Sequence, residues 1–152
     1  MLFRRMLVED IPAVHEIDTL SFSLPWTERS FRFELTQNPV SRAWVAEVDG
    51  RIAAMLVLWF IVDEAHIATI AVHPDFRRQG IGEQILCHAL RAAEGEGARR
   101  AFLEVRAGNA AAQAMYKKYG FEVAGVRPGY YKDNNEDALL MNLEKFDYLE
   151  AE

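Results

Sequence analysis

The feature that most constrains the fold is an uninterrupted apolar run of eleven residues, Ile52–Val62. A helix needs about 20 apolar residues to cross a bilayer, so this run is too short for a membrane span and is typical of a buried strand. Asp49-Gly50, just ahead of it, is a strong signal for a two-residue type I′ hairpin turn. Ala43–Val48 is therefore predicted to be the antiparallel partner of the run, at the centre of a sheet.

Composition narrows the class of protein. Of 152 residues, 51% are hydrophobic and 26% charged, which excludes a disordered chain and fits one domain over residues 1–152, with a frayed tail after about residue 146. The net charge of −6 argues against direct nucleic-acid binding. Cys87, the single cysteine, excludes an internal disulfide and a multi-cysteine metal site. Met1–Arg5 lacks the order of a signal peptide, so we expect a cytoplasmic protein with no membrane association.

Two helices are predicted ahead of the hairpin. Asp10 is a favourable N-cap and Pro12 suits a first turn. Helical spacing then gives one apolar face, made of Ile11, Val14, Ile17 and Leu20. The second helix begins at Thr27, carries Phe31 and Leu35 on one face, and ends before Pro39.

The rest of the chain predicts a mixed α/β order. Further strands are expected at Leu2–Met6, His66–Val72, Ala101–Val105, Phe121–Val126 and Ala138–Leu143. A long helix carries a buried stripe and stops at Gly95 and Gly97; the stripe is Ile81, Ile85, Ala89, Leu90 and Ala93. A short helix capped by Asn109 and ended by Gly120 presents Ala112, Met115, Tyr116 and Tyr119 on one face. The total is about seven strands and about four helices, with the long helix crossing over between parallel strands.

A basic, glycine-rich segment, Arg77–Gly82, joins a strand to the long helix. Free backbone N–H groups and the positive end of the dipole make a helix N-terminus suited to phosphate, and glycine lets the backbone approach closely. A Walker A loop is excluded because Glu83 and Gln84 follow Gly82, and a dinucleotide fingerprint is excluded because residue 85 is isoleucine. The alternative interpretation is a plain turn with two solvated arginines.

Arg77, Gly80 and Gly82 match the acetyl-coenzyme A loop of the GNAT N-acetyltransferases, Arg/Gln-x-x-Gly-x-Gly/Ala. Several other segments resemble the ribosomal-protein-alanine N-acetyltransferases (the RimI type) of that family. They are Phe22–Trp26, Leu103–Asn109, Ala114–Tyr116, Gly120-Phe121, Tyr130-Tyr131 and Glu136–Met141. These motifs follow one another in the family's order over nearly the whole chain.

The resemblance implies a V-shaped mixed, mostly antiparallel sheet whose fourth and fifth strands splay apart. The co-substrate is then acetyl-CoA, with its pantetheine arm in the gap, paired with the backbone of Ile70, Ala71 and Val72. Asn109 would hydrogen-bond the cofactor side of the cleft, and Arg77 would add positive charge. The pyrophosphate would rest on the amides of Arg78, Gln79, Gly80, Ile81, Gly82 and Glu83.

The resemblance also assigns the chemistry. Glu104 matches the position of the general base, acting through water, and Tyr116 that of the general acid that protonates the departing thiolate. Pattern alone favours a solvent-facing carboxylate for Glu104 and a core tyrosine for Tyr116, and the resemblance reverses both. Cys87 and His88 are adjacent on a helix and diverge by about 100°, so no acyl-enzyme is expected. The histidines lack metal-ligand spacing, and no metal is predicted.

Members of this type clasp a peptide N-terminus between two loops, which here contain Trp26 and the pair Tyr130-Tyr131. Trp26 could instead be a hydrophobic staple ahead of the Thr27 cap. Two departures from the type, Gly108 and the segment 132–135, bear on substrate identity. The predicted partner is the N-terminus of a ribosomal or other protein. A small-molecule or lysine acetyltransferase, and a non-catalytic acetyl-CoA-binding module, are the alternatives.

Overall fold

A computed structural model describes residues 1–146, so the predicted fraying of the tail lies outside the described residues. In this part of the chain there are seven strands: β1 Leu2–Arg5, β2 Ser41–Val48, β3 Arg51–Ile61, β4 Glu64–Val72, β5 Arg100–Arg106, β6 Glu122–Tyr131 and β7 Glu136–Leu143. There are four α-helices: α1 Ile11–Ser21, α2 Glu28–Thr36, α3 Ile81–Glu96 and α4 Ala110–Lys118. The predicted mixed α/β architecture is confirmed.

The strands form one sheet in the order β1-β2-β3-β4-β5-β7-β6. All neighbours are antiparallel except β4 and β5, which α3 connects as a parallel crossover, as predicted. The β2–β3 hairpin turns at Asp49 and Gly50, whose φ angles of 50° and 79° fit the predicted type I′ turn. Residues Ile52–Ile61 of the apolar run thus lie in β3, between β2 and β4. Val62 was wrongly included in the predicted strand, since it is 89% exposed and has a φ of 58° in the turn to β4.

Helices cover both faces of the sheet. The α3–α4 face holds the larger core, and the whole predicted stripe of α3 is buried in it. The α1–α2 face holds a second core around Val14, Ile17, Phe31, Val45 and Met55. Burying apolar side chains from both faces is the main stabilising contribution, at roughly 25 cal/mol per Å² of apolar surface.

Two other local predictions were wrong and a third holds only in part. Leu20 is 51% exposed, because nine residues at 100° each turn it about 180° away from Ile11, and Asp18 takes the buried position instead. Asp10 occupies the N-cap position of α1 as predicted, but its carboxylate accepts from Leu7 N and pairs with Arg4 at 2.8 Å, so it makes no capping hydrogen bond to α1. Gly95 lies within α3, and Gly97 alone ends the helix, with φ 116°.

The end of β6 also differs from the prediction. The strand continues to Tyr131, through Pro128 and Gly129, where a loop was expected. β6 is the last strand of the sheet, so an edge position can accept a proline that donates no hydrogen bond. The connection to β7 is therefore short, confined to residues 132–135.

Candidate active site

The sheet opens between β4 and β5. The two strands pair only over Glu64–His66 of β4, which lie opposite Arg100–Phe102 of β5. Just beyond, β4 contains a bulge at Ala68, because Ile67 faces Leu58 while Thr69 already faces Val57 on β3. The second half of β4 therefore has β3 on one side and a gap on the other, which is the splay that the family resemblance implies.

Hydrogen-bond parity decides which backbone groups of β4 face the gap. His73 N donates to Ala53 O at 2.8 Å, so Val72 is a non-hydrogen-bonded partner of Ala54 and Ala71 a hydrogen-bonded partner of Met55. The N–H and C=O of Ala71 therefore form hydrogen bonds with β3. Ala71 was expected to pair with the cofactor through its backbone, but these groups are already occupied. The groups of Ile70 and Val72 point toward β5, into the gap.

The glycine-rich segment supplies a second set of free groups. Gly80 caps α3 with φ 76°, and Arg78 also has a positive φ, 64°. Gln84 N donates to Gly80 O at 3.1 Å, so the amides of residues 81–83 precede the first intrahelical hydrogen bond and have no carbonyl within α3. The N-terminus of α3, its mouth, therefore presents three backbone N–H groups without an intrahelical acceptor at the positive end of the helix dipole.

The charged side chains beside this mouth are held by the protein. Arg77 Nε donates to Val72 O at 3.1 Å and Arg77 Nη2 to Ser21 Oγ at 3.2 Å, which ties the segment to the end of α1. The Glu83 carboxylate accepts from Lys118 and from Tyr119, each at 3.0 Å, and the Lys118 ammonium first of all lowers the pKa of Glu83. The Glu83 carboxylate is thus paired with side chains of α4 and its C-cap, Tyr119, and does not bond to the Glu83 amide at the mouth of α3.

Helix α4 places Tyr116 beside the opening. Asn109 Oδ1 accepts from Ala112 N at 3.1 Å, which confirms the predicted cap. Tyr116 is 5% exposed and packs on Phe121 with ring centroids 5.7 Å apart. Burial raises the pKa of Tyr116, and the neighbouring Tyr131 adds to the effect, so the phenol keeps its proton.

Glu104 lies on the opposite face of β5 from the buried Leu103 and Val105, as strand alternation predicts. Its side chain is 33% exposed, and its Oε1 is 3.9 Å from Arg127 Nη2. The Glu104 charge is the main cause of the raised pKa of Tyr130, and it adds to burial in raising the pKa of Tyr131. Tyr131 thus interacts electrostatically with both Glu104 and Tyr116.

The two tyrosines end β6 with their rings 5.2 Å apart and nearly perpendicular. Tyr130 is 42% exposed. The Arg106 guanidinium lies 4.0 Å from the centroid of the Tyr131 ring, and that of Arg127 lies 5.5 Å from the Tyr130 ring. An aromatic pair of one exposed and one half-buried ring, held by cations beside Glu104, offers a surface for a substrate chain.

Trp26 forms the hydrophobic staple that was the alternative to a substrate-binding role. As the residue before the Thr27 cap it packs on Phe31, with centroids 5.2 Å apart, and Ser30 N donates to Thr27 Oγ1 at 3.0 Å. Trp26 N donates to Asp18 Oδ2 at 2.7 Å. The α1–α2 connection is therefore fixed by a hydrophobic staple and a buried carboxylate.

Residues 11–121 match the model of the Acetyltransferase (GNAT) family. The chain belongs to the GNAT acetyltransferase family. This acetyltransferase is 44% identical over 138 residues, 91% of each chain, to a Bacillus subtilis (strain 168) protein given the provisional name of [ribosomal protein bS18]-alanine N-acetyltransferase. It is 38% identical over 145 residues to the [ribosomal protein bS18]-alanine N-acetyltransferase of Escherichia coli (strain K12), covering 88% of this chain and 90% of that one.

Solved structures agree with this membership. The crystal structure of the Escherichia coli ribosomal-protein-S18-alanine N-acetyltransferase superposes with TM-score 0.87 and 35% identity, covering 93% of this acetyltransferase and 92% of that chain. Ard1 from Thermoplasma volcanium superposes with TM-score 0.83 and 28% identity, covering 93% and 95%. The predicted GNAT fold and acyltransferase class are confirmed.

Two negative findings apply to residues 1–146 of this acetyltransferase. None of its helices combines the length and apolar character needed to cross a membrane. Nor do its described His, Cys, Asp and Glu side chains form any group of three that could hold a metal ion.

Three features of the site were not predicted from sequence. They are the bulge at Ala68, the cluster around Arg106, and the Asp18 carboxylate behind Trp26. Arg106 had one available signal, since it follows Glu104 by two residues and so shares its face of β5. Ala68 and Asp18 had none, because an alanine in a strand and an aspartate in an amphipathic helix are unremarkable.

Proposed function

We propose that this acetyltransferase transfers the acetyl group of acetyl-CoA directly to the α-amine of a protein N-terminus, with Ala or another small first residue. The observation that carries the proposal is the gap beside β4, with free backbone groups on one wall and Glu104, Tyr116 and Tyr131 near it. The names of the bacterial relatives point to ribosomal protein bS18 as the substrate class.

The free backbone groups fit an extended, neutral cofactor arm that ends in a charged pyrophosphate. Ile70 and Val72 present N–H groups to the gap, and the mouth of α3 offers donors for a pyrophosphate from the backbone of residues 78–83. Arg77 adds positive charge at the end of β4, and Asn109 lies at the start of α4 on the same side. Bound there, acetyl-CoA supplies an acetyl group activated as a thioester.

Glu104 and Tyr116 carry the proton transfers in this proposal. A peptide α-amine has a pKa near ~7.7–8.0, so a base must remove a proton for it to attack. Glu104 is partly exposed and accepts that proton through water. Tyr116 is buried, and its raised pKa keeps the phenol proton available for the thiolate that leaves. One acid and one base each contribute roughly 10²–10⁴-fold.

The peptide slot lies between the α1–α2 connection and the end of β6. Tyr130 and Tyr131 supply its aromatic wall, and Trp26 contributes the stiff backbone of the opposite wall more than a free ring. The net charge of −6 suits a basic ribosomal tail.

A peptide panel with acetyl-CoA tests this function. It contains one sequence with a free or a blocked N-terminal amine, several first residues, an internal lysine, and free polyamines as competitors. We expect acetylation of the free terminus alone, and a loss of at least tenfold in Glu104→Gln. Acetylation confined to lysine or polyamines would replace the proposal with a side-chain or small-molecule enzyme. Acetyl-CoA binding without any turnover would make the protein a non-catalytic module.

A further inference from the structure

Arg106 is the centre of a polar cluster that reaches beyond the proposed acid and base. Its Nη1 and Nη2 donate to the two carboxylate oxygens of Asp133, at 3.1 and 3.0 Å, in a bidentate ion pair. The same guanidinium donates to Glu136 Oε1 at 3.2 Å and to Asn134 Oδ1 at 3.4 Å. One side chain of β5 thus holds Asp133 and Asn134 of the β6–β7 connection and Glu136, the first residue of β7.

The connection is further ordered by its own hydrogen bonds. Glu136 Oε2 accepts from Gly108 N at 2.6 Å, and the amides of Asn134 and Glu136 donate to the side chains of Asp133 and Asn134 at 3.0 Å each. A Cβ on Gly108 would stand 2.7 Å from that carboxylate, so glycine keeps room for Glu136. The end of β5 and the β6–β7 connection therefore fit each other closely.

Arg106 also fixes an aromatic wall of the proposed peptide slot. Its guanidinium carbon lies 4.0 Å from the centroid of Tyr131, and the Arg106 side chain is 24% exposed. A planar cation over an aromatic ring is attracted by the negative face of the ring. Arg106 thus covers one face of the Tyr131 ring and holds it in place.

The cluster spans the slot through Asp133. Ser23, in the α1–α2 connection, donates from its Oγ to Asp133 Oδ2, although the two residues are 110 positions apart. A single carboxylate is shared between Arg106 of β5 and Ser23 of the facing wall. The two walls predicted to clasp a peptide are therefore joined by the Ser23–Asp133 hydrogen bond, and an ion pair with Arg106 fixes its Asp133 end.

We propose that Arg106 is a positioning residue for the acceptor substrate, and that the pair Arg106–Asp133 fixes the β6–β7 connection against the end of β5. Arg106 touches neither acyl donor nor reacting amine, and it acts through Tyr131 and Asp133. The inference rests on the proposed function for the identity of the acceptor. Arg106 orders the β6–β7 connection through its contacts with Asp133 and Asn134, whatever the acceptor is.

Steady-state kinetics with the peptide panel provide the first test. In Arg106→Gln we expect KM for the peptide to rise at least tenfold, kcat to stay within about threefold, and KM for acetyl-CoA to be unchanged. Arg106→Lys keeps the charge but loses the bidentate geometry, so its peptide KM should lie between the two. Ser23→Ala leaves the ion pair intact and should change peptide KM by less than threefold.

A double-mutant cycle separates positioning from a general loss of structure. Asp133→Asn and Arg106→Gln remove the same interaction, so the double variant should be no worse in peptide KM than the worse single variant. Additive losses would overturn the proposal, as would a fall in kcat with peptide KM unchanged. If Arg106→Gln does not fold, Arg106→Lys and Asp133→Asn carry the cycle.

Amide hydrogen exchange tests the positioning claim independently of the acceptor. Exchange at Asn134 and Glu136 should accelerate in Arg106→Gln relative to wild type, while amides of α3 stay unchanged. Unchanged exchange at both positions would overturn the positioning role, even if the peptide panel succeeds. Accelerated exchange with no peptide acetylation in wild type would instead reject only the proposed function.

Discussion

The two sides of β4 differ sharply. Eight residue pairs join β4 to β3 along its whole length, whereas three pairs join it to β5 before the strands separate. A backbone group left unpaired in a protein interior costs about 1–3 kcal/mol, so a central strand normally fills both edges. The exposed edge at Ile70 and Val72 is therefore the part of the sheet that is available to a ligand, while the edge toward β3 holds the fold together.

Tyr116→Phe should have the largest effect on the open side. We expect kcat to fall at least tenfold, and up to about 10⁴-fold, with little change in acetyl-CoA affinity, because only the proton donor is lost. Since its pKa is raised, Tyr116 stays protonated up to about pH 10 in wild type. The loss should thus be the same at every assay pH, measured as kcat from about pH 6 to 9.

Tyr119→Phe is the matched control on the same helix, because Tyr119 is buried and bonds to Glu83 outside the gap. Its kcat should stay within a few-fold of wild type. A Tyr116→Phe enzyme with wild-type kcat would remove the acid role.

Asp18→Ala should destabilise the α1–α2 connection. The carboxylate is 1% exposed and holds the Trp26 amide, so its loss leaves a buried donor unpaired and should lower the free energy of unfolding by about 1–3 kcal/mol. Burial raises the pKa of Asp18, so in wild type this group's contribution is largest at low pH and declines as pH rises above about 4. Urea unfolding at several pH values should find a deficit that shrinks with rising pH. A deficit that grows with pH would contradict this assignment.

A smaller effect on stability is expected from substituting two glycines, Gly80 at the N-cap of α3 and Gly95 within it. Gly80→Ala forces a positive φ on alanine, so it should cost about 1–2 kcal/mol and weaken acetyl-CoA binding. Gly95→Ala, at the other end of the helix, meets open space and should gain up to about 1 kcal/mol with binding unchanged. Thermal unfolding and calorimetric titration with acetyl-CoA measure both. Equal behaviour of the two variants would argue against a ligand at the mouth of α3.

Much of this arrangement could be predicted from sequence. The apolar run, the Asp49-Gly50 turn and the stripe of α3 each obey one local rule, and the structure confirms all three. The parallel pairing of β4 and β5 is expected when the helix between them, α3, is a crossover connection. The family motifs then located the gap and its candidate side chains.

What could not be predicted depends on register and on long-range contacts. Both faces of β4 are covered by helices, so its side-chain pattern does not reveal the bulge at Ala68 or which amides are free. Pro128 and Gly129 indicated a loop because nothing local marks β6 as the edge strand. The Ser23–Asp133 contact joins residues 110 positions apart, which no local pattern reports.

Amide hydrogen exchange of β4, with and without acetyl-CoA, tests most directly whether the splayed edge is the cofactor site. Ala71 should be protected in both states, because its N–H bonds to β3. Ile70 and Val72 should exchange faster than Ala71 in the free protein and become protected only when acetyl-CoA is bound. Protection that appears elsewhere, with Ile70 and Val72 unchanged by the cofactor, would contradict the account.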